Sequence, residues 1–158
     1  MKTGRVLVAA VGLSFVALAA AQQTIDYAKG INFSKYKSYN WTQGTPAVNP
    51  TIENSIRDAV DRELQVKGLT RRSENPDLYV ATHASKAKEK LENWPSAIPV
   101  TIDWVGTLVV DLTDVNSKKV VWRGVVQKIL AEKTQNVPKQ VNKEVKKLFR
   151  DFPPKSKN

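Results

Sequence analysis

The stretch GTLVVDLTDVNSKKVVWRGVV, residues 106–126, decides how the rest of the chain must be arranged. In its first half Leu108, Val110 and Leu112 hold one parity, while Thr107, Asp111 and Thr113 hold the other with Val109 among them. Alternation with period two predicts a strand that has one buried face and one mixed face. Asp114 to Lys119 supplies turn residues, and Val120 onward is apolar again except for Arg123 and Gly124. The reading is an antiparallel hairpin whose first arm spans 100–113, with Ile102 and Trp104 continuing the apolar parity, and whose second arm spans 120–129.

Opposed residues in such a pair share a face, so the register of the second arm is a choice between two parities. One parity sets Trp122 and Gly124 inward with Leu108 and Val110 and leaves Arg123 outside, near Asp111. The other buries the Arg123 guanidinium under whatever covers the sheet, at a cost of several kcal/mol. The first is expected, with Trp104, Leu108, Val110 and Trp122 in the core and Gly124 giving room for a close approach. Its outer face then carries Val105, Val109, Val121 and Val125 around Arg123, more valine than a solvent-facing sheet usually shows. That group is a candidate contact for a partner or a covering loop.

Outward from the hairpin, 24–28 and 37–42 alternate as short strands, the second with Tyr39 and Trp41 on one face; Trp41 is assigned to the core. Asn49-Pro50 opens a helix, since asparagine caps free amides and proline fits the first helical position. Ile52, Ile56, Ala59, Val60 and Leu64 form its apolar stripe, Arg57 with Asp61 and Asp58 with Arg62 are spaced for i,i+4 pairs, and Gly68 stops it. A short extended piece at 69–72 follows, then a turn at Asn75-Pro76 and a strand over 77–84. Residues 85–99, SKAKEKLENWPSAIP, read as a loop. A last helix begins near Asn136 and runs to Phe152, where Pro153-Pro154 ends it. The fold class is α+β: a mainly antiparallel or mixed sheet of five to six strands with two helices on one face.

Lys2 and Arg5, the apolar run Val6 to Ala21 and the small residues Ala19-Ala20-Ala21 have the three-part pattern of a cleavable export signal. The run is shorter than a spanning helix needs. The expected organisation is a signal peptide over 1–21 and a single domain over 22–158, with no transmembrane anchor after cleavage and a periplasmic or secreted location. The chain has no cysteine, so neither disulfides nor a lipid-accepting cysteine is available. Loss of Lys2 and Arg5 with the leader still leaves a strongly basic protein, from a full-chain net charge of +10.

The strings DYAKGINFSKYKSYNW (26–41), NPDLYVATH (75–83), GTLVVDLTDVNSKKVVWRG (106–124) and VNKEVKKLFRDFPP (141–154) occur in this order, and together the chain resembles the DUF4136 family of bacterial envelope proteins. The resemblance implies a single exported α+β domain. Members are often lipoproteins, whereas this chain lacks the cysteine for that anchor. It implies no catalytic residues.

The residues themselves offer little chemistry. One histidine and no cysteine leave a metal site only the carboxylates Asp103, Asp111 and Asp114, whose spacing is that of strand alternation and a turn. His83 has no serine or carboxylate placed beside it by local spacing, and no glycine-rich phosphate loop exists. Lysines and aromatics interleave in FSKYKSYNW, but Tyr39 and Trp41 share a face and read as core, so no nucleic-acid platform is expected. The expectation is therefore no enzyme and no cofactor. The final helix is the most informative surface: Lys139, Lys143, Lys146, Lys147 and Arg150, with Lys155 and Lys157 beyond, outnumber Glu144 and Asp151. Such a helix suits an anionic lipid, lipopolysaccharide or another polyanion, and its plainer reading is a solvated face near the negative end of its own dipole. The sequence points to an exported envelope protein with a binding or structural role, its partner either another envelope protein or an anionic envelope component.

Overall fold

A computed structural model describes residues 22–47, 49–85, 106–127 and 137–154. Six strands form one mixed sheet: β1 (Gln22–Tyr27), β2 (Ser38–Trp41), β3 (Thr70–Arg71), β4 (Leu78–Ser85), β5 (Thr107–Asp114) and β6 (Val120–Gln127), in the order β1-β6-β5-β4-β2-β3. β1, β6, β5 and β4 pair antiparallel, and β2 runs parallel to both β4 and β3. Two helices, α1 (Pro50–Val66) and α2 (Val137–Leu148), complete the α+β fold. The leader, Trp104, Val105, Asp103, the upstream arm from 100, the 86–99 part of the loop, residues 128–129 and Lys155 and Lys157 lie outside the described residues.

α1 starts where its sequence says it should. The Asn49 side chain accepts from the Thr51 amide at 2.8 Å, Pro50 fills the first position, and Gly68 turns the chain away at φ 87°. Ile56, Ala59, Val60 and Leu64 are its buried stripe. The two arginines expected in i,i+4 pairs with Asp61 and Asp58 take other partners, one within α1 and one on α2. Arg57 turns back to Glu53 at 3.0 Å and Arg62 reaches Asn142 of α2 at 3.0 Å. Asp61 instead accepts from the Tyr39 hydroxyl and Trp41 Nε1, both at 2.8 Å. Donors carried on a face that packs against a helix need an acceptor there, and Asp61 supplies it.

The central hairpin takes the register that keeps Arg123 outside. Leu112 pairs with Trp122, Asp111 with Arg123, Val110 with Gly124 and Leu108 with Val126. Leu108, Val110 and Trp122 are buried. A bulge between Leu112 and Thr113 adds one residue to β6, and that residue is Val121. Two consecutive side chains of a bulged strand are thereby brought to one side, and Val121 joins the core at 1 % exposure instead of the outer face expected for it. Trp41 is also displaced from expectation: it is half-buried, packing on the core's margin with Arg57 over its ring at 4.4 Å.

α2 ends at Leu148, four residues before the expected stop: Pro153 has no N–H to give the Phe149 carbonyl and its ring would crowd it, and the chain tightens into a turn in which the Arg150 and Phe152 amides donate to the Lys147 and Phe149 carbonyls. That turn brings Phe149 and Phe152 against Trp122, the first stacked at 4.8 Å between centroids and the second edge-on at 5.5 Å. A Cβ on Gly124 would lie 2.8 Å from Leu148 Cγ and 2.6 Å from the Trp122 ring, so only glycine lets α2 approach this closely.

Candidate functional site

α2 separates its residue types by side. Advancing about 100° per residue, Lys139, Lys143, Lys146 and Lys147 fall within an arc of about 100°, and Arg150 follows in the terminal turn; all five are exposed. Val137, Val141, Val145 and Leu148 occupy the opposite side and are buried. Glu144, the one acid of the helix, is also buried and takes a hydrogen bond from Gln23 of β1 at 3.2 Å. Asp151 is exposed and sits 3.3 Å from Arg150. Lys67, just past the end of α1, flanks the stripe, and its Nζ donates to the Arg150 carbonyl at 3.0 Å. The spacing of the lysines was legible in sequence; the inward turn of Glu144, which leaves the stripe almost free of acid, was not.

The opposite surface of the sheet carries a polar row. Asp26 of β1, Arg123 of β6, Asp111 of β5 and Ala81 of β4 lie side by side in register. Arg123 makes a two-pronged pair with Asp111, 2.6 Å from Nε and 2.7 Å from Nη2. Asp111 is buried at 5 % exposure and draws the Arg123 guanidinium still further toward its charged form. His83 approaches the same carboxylate at 3.9 Å through Nε2 and hydrogen-bonds Thr45 through Nδ1 at 3.1 Å. Thr45 is far off in sequence and is held beside β4 by backbone bonds to Thr82 and Ala84, an arrangement no local spacing announces. Val109 and Val125 pair directly in the next row, half-buried.

Of the carboxylates considered for metal, Asp103 lies outside the described residues, and Asp111 and Asp114 are engaged with other partners. Asp114 accepts from the Tyr36 hydroxyl at 2.7 Å, Lys35 at 3.2 Å and the amides of Asn116 and Ser117. Those donors, the Ser117 amide foremost, hold its pKa well below the usual carboxylate range, and the Tyr36 hydroxyl is pushed up by burial and by the same carboxylate. Among the described residues no three metal-ligating side chains gather. A shallow recess of about 210 Å³ beside α1 is lined by Gln43, Gly44, Pro46, Glu53, Arg57 and Thr82, and its two charged groups neutralise one another. Among the described residues no helix is long and apolar enough to cross a membrane.

These features define a class: a helix-backed mixed sheet with a basic outer helix and an ion-paired row on the face away from the helices. The chain belongs to DUF4136, a domain family of unknown function, whose model matches residues 23–154. No curated protein matches. Among solved structures it is similar to a PDZ domain protein from Parabacteroides distasonis ATCC 8503, with a TM-score of 0.59 and 15% identity over 87% of this chain. The chain spans 37% of the length of that protein. It is also similar to the PelC dodecamer from Paraburkholderia phytofirmans, with a TM-score of 0.57 and 14% identity over 87% of this chain and 100% of that one. At these identities the likeness is one of fold.

Proposed function

We propose that the protein is an exported, non-enzymatic binding component of a bacterial envelope and that the basic stripe of α2 holds it against an anionic envelope component. The observation that carries this reading is the segregation of Lys139, Lys143, Lys146, Lys147 and Arg150 onto the one side of α2 that the core does not use. A helix solvated for its own sake tolerates acids anywhere on its exposed side, whereas a stripe for a polyanion is weakened by each one. Family membership and the leader-like composition of the first 21 residues support export.

Each lysine near an anionic surface is worth about 1 kcal/mol, so reversing three removes a factor of about 100 or more in affinity. Co-sedimentation with vesicles of phosphatidylglycerol and phosphatidylcholine, against phosphatidylcholine alone, at about 0.15 M salt measures it without the trivial attraction of dilute buffers. The protein should bind the anionic vesicles, and Lys143→Glu, Lys146→Glu and Lys147→Glu combined should abolish binding while leaving the fold intact. Undiminished binding by that variant, or none by the parent to vesicles or lipopolysaccharide, overturns the reading. Export is checked separately: N-terminal sequencing of protein recovered from the envelope fraction should begin at Gln22.

A further inference from the structure

The two edges of the sheet are unlike. β3 ends one side with two residues, Thr70 and Arg71, too short and too polar to recruit another strand. β1 ends the other with six residues, QQTIDY, free of proline and lysine and mostly exposed. The Ala28 amide donates to the Val121 carbonyl at 2.9 Å, so Ala28, Asp26, Thr24 and Gln22 direct their backbone groups toward β6. The amides and carbonyls of Gln23, Ile25 and Tyr27 consequently point to the open side, where no described residue pairs with them. Ile25 and Tyr27, each 38 % exposed, are two of the exposed large apolar side chains, and both stand on this strand.

We propose that β1 pairs antiparallel with β1 of a second copy, joining two six-stranded sheets edge to edge about a two-fold axis through Ile25. The outward groups must meet outward groups, which restricts the register to odd residues opposite odd ones. Centring on Ile25 sets it opposite the other copy's Ile25, with Gln23 and Tyr27 opposite one another twice, giving up to about six backbone hydrogen bonds. On the outer face Thr24 then faces Asp26 of the second copy, so no like charges oppose. Centring on Asp26 would put two carboxylates face to face, and centring on Thr24 would leave Tyr27 without a described partner. Charge and overlap both select Ile25. A two-fold normal to the sheet keeps helices on one side, so both α2 stripes would face the same way. The pairing needs no ligand and is independent of what the stripe binds.

Sedimentation equilibrium of the protein without lipid tests this. A dimer should be populated at micromolar concentration. Thr24→Asp, on an exposed side chain, adds like charges opposite each other twice and should weaken the dimer about tenfold, whereas Thr24→Lys should tighten it. Thermal unfolding of dilute monomer checks that neither change harms the domain. The chain has no cysteine, so Ile25→Cys introduces a single thiol pair with Cα atoms about 5.5 Å apart in this register. A short bis-maleimide should couple it efficiently, and should leave Val66→Cys, exposed at the end of α1, uncoupled. A monomer at about 100 µM, equal association by the two Thr24 variants, or equal coupling at both thiols overturns the proposal.

Discussion

Replacing Trp122 by alanine and, separately, Arg123 by alanine should affect stability very unequally although the residues are neighbours. Trp122 is 1 % exposed and touches Phe149 and Phe152 in stacked and edge-on geometry. Truncating a buried tryptophan costs about 3–5 kcal/mol in lost burial and residual cavity. Its two ring contacts put the expectation near the upper end, at about 5 kcal/mol. A domain of ordinary stability, about 5–15 kcal/mol, is left marginal or unfolded. Arg123 has half its side chain in water, so little burial is lost with it. What it leaves behind is Asp111, a carboxylate at 5 % exposure deprived of its two closest donors, with His83 at 3.9 Å as the nearest remaining cation former. Leaving a buried polar group short of partners costs about 1–3 kcal/mol. Urea unfolding followed by far-UV circular dichroism reads both without depending on the tryptophan's own signal, and equal m-values show that the comparison is between two-state transitions. Arg123→Ala should remain folded with a midpoint moderately reduced. An Arg123→Ala loss exceeding that of Trp122→Ala, or a Trp122→Ala loss under about 1 kcal/mol, would refute the register and the assignment of the buried face.

Gly124→Ala tests the close approach of α2 to the sheet: the added methyl meets Leu148 Cγ and the Trp122 ring inside 3.0 Å, so the midpoint in the same urea titration should fall by about 1–3 kcal/mol. No loss would mean that α2 has room to spare there. Asp114 and Asp77 both have folded pKa values below their unfolded ones, through the Ser117 and Lys37 amides respectively. Their stabilisation is therefore complete above about pH 5 and is lost as pH falls from about 4 toward the folded values. Asp114→Asn should lower stability at pH 7, and the gap to the parent should narrow below about pH 4, with Asp77 keeping some acid slope in the variant. A gap that stays constant from neutral pH to about pH 2 would contradict this linkage.

The sequence by itself determined the α+β class, the central hairpin and its parity, the start of α1 at Asn49-Pro50 and the run of cations in the last helix. Each of these rests on spacing of two to four residues or on a cap, information that neighbours along the chain carry. What only the tertiary structure decided involves partners distant in sequence. Val121 turned inward because a bulge between β5 and β6 altered a count that alternation assumes to be regular. Asp61 left its helical neighbour for Tyr39 and Trp41, and Thr45 came to His83, because hydrogen-bonding groups brought together by the sheet need partners that no local pattern names. Glu144 is the sharpest instance. As a letter it dilutes the basic helix, and as a buried side chain reached by Gln23 of β1 it leaves the stripe to the lysines. Which face a charge occupies is settled by the element packed against it, and that element lies more than a hundred residues away along the chain.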